Sequence, residues 1–270
     1  MSLLKKATPP TRRAKNSQDR KIIGNSWAEY HKRLDQAFPL SKLQIIPRAP
    51  RVYLVDQQFA FKFLPASPDS PLTQTHDKVY ALLQVLKKNN QIYPDCNRRY
   101  VAGNPKALHM GFYEQNLPKN PNRTWKLYEA TNKPILLALK PILQHYSTTM
   151  RKDMANPSPC PKDYGLFGTI FTTIVVNNFS CQWHVDPQDK LTIIFYFGKF
   201  TNGELGVAPN FLVPIQECDA VILNSVNSFH RAFPFVGERF SISAYSKKTT
   251  KVTQKGTLTP DPAALWALSK

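Results

Sequence analysis

The sequence has no apolar run near the roughly 20 residues that a helix needs to cross a bilayer, so no membrane span is predicted. Residues 1–20 lack the apolar stretch of a signal peptide. Cysteines are few and form no CxxC pair, which indicates neither a zinc site nor a disulfide scaffold; they are Cys96, Cys160, Cys181 and Cys218. Reduced thiols fit the nucleus or the cytoplasm, and the protein is not expected to be secreted.

Acidic residues are also scarce: 18 Asp and Glu stand against 36 Lys and Arg, which leaves a formal net charge of +18. Such an excess favours polyanionic partners, because cationic side chains release counterions when they bind phosphates and steer the partner from a distance. DNA, or RNA, is therefore the favoured partner, and a monomer is expected. The same charge would also suit solubility alone or an anionic membrane surface.

Apolar residues make up 42% of the 270 residues, which is typical of a globular protein with a buried core. Residues 1–20 differ from the rest because they contain six Lys or Arg and one acid. We predict a disordered basic arm there, which could contact phosphates, serve as a nuclear address or only aid solubility. Residues 21–270 are predicted to form one domain, with a helical and mixed part at 21–163 and a β-core at 164–250.

Helical signals dominate the first half of the chain. Residues 26–29 have capping-box spacing, and the helix that follows would bury one face. That face comprises Trp27, Tyr30, Leu34 and Phe38. A second helix is predicted at 72–88. A third is predicted from about Pro134, where Asn132 can cap the helix and Pro141 would kink it or begin a new turn.

Strand signals are of two kinds. Apolar and polar residues alternate at 51–54 and 59–63, which predicts a strand pair, whereas 91–124 is predicted to be loop with short strands. From residue 164 onward, short β-branched and aromatic runs are separated by Gly, Asn, Pro and Asp. This spacing favours a sandwich, barrel or jelly roll, and the fold class is therefore α+β.

A candidate metal site begins at His184-Val185-Asp186, which follows the strand-like run 169–178. On an extended segment residues i and i+2 project from the same face, so both side chains can reach one ion. His230 lies further along the chain, after another apolar run. Two His and one carboxylate form the facial triad of non-haem Fe(II) oxygenases, which leaves three coordination positions open.

Arg239 and Ser241 again have i, i+2 spacing, nine residues beyond His230. A guanidinium beside a hydroxyl is suited to a carboxylate, which it can bind with two hydrogen bonds. Each residue has a plain structural explanation as well, including an ion pair between Arg239 and Glu238. The full order of triad, Arg and Ser favours a functional site.

Residues 169–248 resemble the double-stranded β-helix core of Fe(II)/2-oxoglutarate dioxygenases. The runs GKFTNGELGVAP and HRAFPFVGERFSISAYS are most similar to the TET/JBP-type oxygenases that oxidise nucleic-acid bases, especially the compact fungal and protist forms. The resemblance fades before residue 160. It implies an α+β fold with a jelly-roll core and N-terminal helices packed on one side.

The resemblance also implies a role for each residue of the pattern. His184, Asp186 and His230 would bind Fe(II) and carry the catalysis. Arg239, helped by Ser241, would bind the distal carboxylate of 2-oxoglutarate, with ascorbate as a reductant. A basic residue for the proximal carboxylate is not evident before His184. The candidates for that role are Asn178, Gln182 and Tyr196.

Two further positions resemble base-contacting positions of that family, and a third departs from it. Asp189 stands where members carry an Asn or Asp that hydrogen-bonds the target base, and Tyr245 stands where an aromatic ring stacks on it. Lys247 departs from the pattern, because animal members have a base-contacting His there. The identity of the base is therefore open among 5-methylcytosine, N6-methyladenine and thymine.

The favoured function is oxidation of a methyl group on a DNA base, 5-methylcytosine or N6-methyladenine, after the base is flipped into the pocket. Three alternatives stay open. A prolyl or lysyl protein hydroxylase would use the same site on an acidic peptide. A non-catalytic nucleic-acid-binding jelly roll would have a vestigial triad. A zinc hydrolase would use the same ligand types but would leave Arg239 without a role.

Overall fold

A computed structural model describes residues 28–89, 107–115, 124–128, 133–153, 165–186 and 189–247. The predicted arm at 1–20 and the predicted cap Asn132 lie outside these residues. The helices are α1, whose described part covers 28–37, α2 (Pro71–Lys88) and α3 (Lys133–Asp153), with 3-10 turns at Leu40–Lys42 and Leu166–Gly168. None of the described helices is both long and apolar enough to cross a membrane.

The strands before residue 170 are β1 (Gln44–Ile45), β2 (Arg51–Val55), β3 (Gln58–Leu64), β4 (Leu108–Gln115) and β5 (Thr124–Tyr128). The central strands are β6 (Thr173–Asn177), β7 (Asp189–Phe197), β8 (Phe200–Asn202), β9 (Leu205–Val207) and β10 (Phe211–Val213). The last four are β11 (Ala220–Leu223), β12 (His230–Ala232), β13 (Phe235–Gly237) and β14 (Phe240–Lys247).

Local sequence explains where α2 begins. Ser70 caps α2 by accepting a hydrogen bond from the Thr73 amide, and Pro71 occupies the first turn, where the missing N–H has no cost. The predicted helix at 72–88 is thus confirmed and begins one residue earlier. In α3 the helix continues through Pro141 to Asp153, so the prediction that Pro141 could begin a new turn is wrong.

The strands form two main sheets. The major sheet has the order β2-β3-β11-β7-β14-β6-β4-β5, and the minor sheet has the order β1-β10-β9-β12. A separate pair joins β13 to β8. The predicted strand pair is confirmed as the β2–β3 hairpin, and the α+β double-stranded β-helix is confirmed as the fold.

The two faces of the major sheet have different neighbours. In β7, the apolar residues Ile193, Phe195 and Phe197 pack against α2 and α3, whereas Ile194 and Tyr196 face the minor sheet. Strand β14 alternates in the same way, because Phe240, Ile242 and Ala244 belong to the helix side. Ser241, Ser243 and Tyr245 therefore line the interior between the sheets. Helix α1 lies apart, in a third cluster with Trp183 and Phe233.

An ion pair between the buried Asp219 and the partly exposed Arg48 fixes the start of β11. The Asp219 carboxylate is fully buried and accepts two hydrogen bonds from the Arg48 guanidinium, at 2.8 and 2.9 Å. It also accepts the backbone amides of Ala66 and Gln216, at 2.8 and 2.7 Å. Because one carboxylate satisfies four donors, it ties three separate chain segments together.

We predict that Asp219→Ala lowers the free energy of unfolding by about 2–4 kcal/mol, because two backbone amides lose a buried acceptor and the partly exposed Arg48 loses its ion-pair partner. The exposed Glu29–Arg33 pair is the control, since Glu29→Ala there should cost no more than about 0.5 kcal/mol. Urea denaturation of both variants measures the difference. Equal losses would contradict the assignment.

Candidate metal and co-substrate site

Two chain segments bring the predicted triad together. His184 and His230 form a β-bridge in which each amide donates to the other residue's carbonyl, at 3.0 and 2.9 Å. The Asp186 amide donates to the carbonyl of Ser225 at 2.8 Å, which turns the segment beside the bridge. One ligand atom from each of the three side chains lies within 4.8 Å of the others.

The orientation of both imidazoles is set by backbone carbonyls. Nδ1 of His184 lies 2.8 Å from the Gln182 carbonyl, and Nδ1 of His230 lies 3.1 Å from the Ser228 carbonyl. A carbonyl oxygen only accepts, so each Nδ1 carries the proton and donates it. Each Nε2 is then left with its lone pair, which is the tautomer that a metal ligand needs.

The carboxylate completes the set. The Asp186 Oδ2 atom lies 3.4 Å from Nε2 of His230 and 3.9 Å from Nε2 of His184. The His230 side chain is 6% exposed, whereas that of Asp186 is 38% exposed, so the cluster opens to solvent on the carboxylate side. Two imidazole nitrogens and one carboxylate on one side of an ion fit Fe(II) and leave positions for other ligands.

The Arg239 guanidinium is fully buried and lies against backbone and rings. Its Nη1 donates to the carbonyls of Gly203 at 2.6 Å and Phe233 at 3.4 Å, and its Nη2 donates to the carbonyl of Phe179 at 3.2 Å. Its carbon lies 4.3 Å from the ring centroid of Phe235.

This buried cation has unmet capacity. Its Nε is buried without a hydrogen-bond partner, and no described carboxylate lies within ion-pair distance. Burial lowers the pKa of Arg239, because the charged guanidinium is withdrawn from water. A buried guanidinium with a spare N–H and no counter-ion is suited to an incoming carboxylate.

The metal cluster and the guanidinium lie at opposite ends of one ladder. Strands β9 and β12 pair over three residues, with His230 opposite Val207 at one end. Gly203 and Phe233, which accept bonds from Arg239, flank the other end. His230 and Phe233 are therefore roughly 10 Å apart along the strand. The side chains of His230 and Arg239, with a five-carbon diacid between them, can span that distance.

The other predicted co-substrate residues lie near Arg239 or the triad. Ser241 pairs with Tyr196 across β14 and β7, and burial raises the pKa of Tyr196 while the Arg239 charge opposes that shift. Asn178 is buried and precedes Phe179, whose carbonyl holds Arg239. Gln182 has a buried Oε1 without a hydrogen-bond partner among the described residues. Which of them contacts a co-substrate stays a prediction.

The predicted base-contacting positions meet at one end of the β7–β14 ladder. Lys247 is opposite Asp189, after an irregularity that follows Tyr245. The side chains of Asp189 and Lys247 lie outside the described part of the chain. Tyr245 pairs with Thr192 and is 7% exposed. The backbone thus brings the three positions together, and their roles stay predictions.

Sequence reasoning missed how Arg239 is separated from Glu238. The alternative of an ion pair between these neighbours is wrong, because Glu238 accepts from Lys87 Nζ at 2.6 Å and from the Tyr80 hydroxyl at 2.7 Å, both on α2. Burial alone raises the pKa of Glu238, but the hydrogen bonds from Lys87, Tyr80 and Gln84 outweigh it and lower that pKa. The sequence shows opposite charges at 238 and 239, but it does not show that each side chain has a different partner.

We expect Glu238→Gln to lower the free energy of unfolding by about 1 kcal/mol at pH 7, because a charged hydrogen bond to Lys87 becomes a neutral one. A carboxylate whose folded-state pKa is lowered stabilises above its unfolded pKa and loses that effect as the pH falls through the folded pKa. Urea denaturation should therefore show the gap closing below about pH 4. The exposed Glu29→Gln is the control; a gap independent of pH would contradict the assignment.

No protein-family model and no curated protein sequence matches the chain. Several solved structures are similar to it. NgTET1 in complex with 5mC DNA is 16% identical, with 88% of this chain and 98% of that chain covered and a TM-score of 0.48. A 2OG-Fe(II) oxygenase family oxidoreductase from Burkholderia pseudomallei is 13% identical, with 73% and 89% covered and a TM-score of 0.42.

A Trichoplax adhaerens prolyl hydroxylase, in complex with a hypoxia inducible factor peptide fragment, is 12% identical, with 92% and 99% covered and a TM-score of 0.45. These identities and TM-scores are too low to transfer chemistry from the similar structures, so this chain's own residues must indicate what the site can do. This chain combines a double-stranded β-helix, a 2-His-1-carboxylate cluster of the kind that binds Fe(II) in non-haem oxygenases, and a buried guanidinium that has no carboxylate partner among the described residues.

Proposed function

We propose that the protein oxidises a methyl group on a nucleic-acid base, with His184, Asp186 and His230 holding Fe(II) and Arg239 holding 2-oxoglutarate. Support comes from one arrangement, in which a ligand cluster and an unneutralised guanidinium occupy the two ends of the β9–β12 ladder. With 2-oxoglutarate and O2, bound Fe(II) supplies oxidation of a C–H bond.

The protein's own residues bind and orient the reactants. Arg239, whose Nε–H has no described partner, and the Ser241 hydroxyl on the same face of β14 would hold the distal carboxylate of 2-oxoglutarate. Backbone carbonyls keep the protons of both imidazoles on Nδ1, so Nε2 stays available to the metal. Rings of Phe200 and Phe235 cover the guanidinium and exclude water from it.

The choice of a nucleic-acid substrate rests on charge and on the ladder end near the triad. A net charge of +18 favours a polyanion by counterion release. The backbone register pairs Asp189 with Lys247, two residues from Tyr245. This proximity of an acidic, a basic and an aromatic position supports a role for the three residues in binding a flipped base. A methyl group buried in a duplex reaches a pocket of this kind by base flipping.

The test is oxidation of short duplexes that contain 5-methylcytosine, N6-methyladenine or thymine, with Fe(II), ascorbate and 2-oxoglutarate. We expect succinate and oxidised base in equal amounts from the wild-type protein, read by mass spectrometry. His184→Ala should abolish both, whereas His145→Ala, which removes an exposed His from α3, should change neither.

The other outcomes separate the alternatives. Succinate produced only with an acidic prolyl or lysyl peptide would overturn the nucleic-acid substrate and keep the oxygenase. Duplex binding without succinate or bound iron would overturn catalysis and leave a binding module. Hydrolysis that depends on zinc would replace the proposed chemistry altogether.

We predict that Arg239→Gln raises KM for 2-oxoglutarate at least about tenfold and changes kcat less, because it removes binding far from the reacting atoms. The control is the exposed Arg33→Gln. Since a buried substitution can weaken folding, a second readout is the rise in melting temperature of the metal-loaded protein with added 2-oxoglutarate. That rise should be lost in Arg239→Gln only; its retention would contradict the assignment.

A further inference from the structure

Helix α1 packs on the strands that carry the ligands instead of on α2 and α3. Its buried face meets the back of the metal cluster in a compact aromatic group. The buried members of that group are Tyr30, Leu34, Phe38, Trp183 and Phe233. The helix is remote in sequence from the residues it contacts, so this docking is a tertiary feature that local propensity does not explain.

Phe38, at the end of this helix, contacts both ligand segments. Its ring centroid lies 5.2 Å from that of Trp183 and 5.7 Å from that of Phe229. Trp183 immediately precedes His184, and Phe229 immediately precedes His230. One buried ring therefore touches the residue before each histidine ligand.

An ion pair adds a second contact beside His230. Asp35 of α1 accepts from Arg231 Nη1 at 2.7 Å, and Arg231 lies over the ring of Phe233 at 4.9 Å. The Asp35 side chain is 47% exposed, so the ion pair is weaker than the aromatic contacts. The residues on both sides of His230 are thus held from the same helix.

The ligand segments need this support, because the sheet holds them unequally. His230 belongs to β12 and pairs with β9, but His184 joins His230 only through an isolated bridge. Adjacent residues of an extended segment point to opposite sides. Packing Trp183 and Phe229 against Phe38 therefore fixes the backbone from which the two imidazoles project to the other side.

We propose that Phe38 is a positioning residue for both imidazoles, so that α1 is part of the metal centre. This inference rests on the proposed role of His184 and His230 as ligands. Phe38 touches neither metal nor substrate, and it acts by limiting the spread of the two Nε2 atoms. Removing a group that hydrogen-bonds a metal ligand typically weakens metal binding by about 10–100-fold, and loss of the packing behind both ligands is expected to act at the lower end of that range.

The test compares two side-chain truncations in the full chain. Phe38→Ala removes one ring from the aromatic group behind the site. As the control, Leu83→Ala removes a fully buried side chain from the α2 side of the core. Co(II) affinity is measured from visible absorption, well below the melting temperature of each variant. We expect Phe38→Ala to weaken Co(II) binding at least about tenfold and Leu83→Ala to leave it within about twofold, even where both lose similar thermal stability.

Phe38→Leu is the rescue variant, and it also serves if Phe38→Ala does not fold. It should restore most of the Co(II) affinity, because a large apolar side chain again contacts Trp183 and Phe229. Equal Co(II) affinities for the Phe38 and Leu83 variants would overturn the positioning role while leaving the proposed function intact. A wild-type protein that binds no Co(II) or Fe(II) would overturn the metal site itself, which separates the two failures.

Discussion

The burial of the Arg239 guanidinium is the constraint around which the β-core is arranged. A cation withdrawn from water is costly unless other polar groups replace the water. Here the carbonyls of Phe179, Gly203 and Phe233 supply part of that replacement, and the ring of Phe235 covers one face. These groups come from three separate segments of the chain, so the cation can be satisfied only when the strands are correctly assembled. What remains unsatisfied is the Nε–H, which is the capacity that the proposed co-substrate would use.

The period-two alternation of β7 and β14 explains how this polar interior coexists with a stable core. One face of each strand is apolar and packs under α2 and α3; the other carries Thr192, Tyr196, Ser241 and Tyr245 into the space between the sheets. The helices thus cover the sheet from one side only, and the second side is free to hold chemistry. Stability and binding are assigned to opposite faces of the same strands.

Much of the site could be predicted from the sequence, because its parts are local patterns. His184 with Asp186, and Arg239 with Ser241, are i, i+2 pairs on extended chain, and α2 and the β2–β3 hairpin follow from capping and alternation. The carbonyls that hold Arg239, the contact of Glu238 with Lys87 and the docking of α1 behind the triad were not predicted. Each is a contact between segments far apart in sequence, and no local periodicity specifies which segments meet.

The separation of Glu238 from Arg239 also favours one register of β14 against β7. These neighbours have opposite charges and point to opposite faces, one toward α2 and the other toward the interior. A slip of β14 by one residue against β7 would exchange them, which would bring a carboxylate into the proposed co-substrate site and an arginine against Lys87. Charge therefore opposes a one-residue slip of β14 in addition to packing, whereas a slip of two residues would preserve both faces.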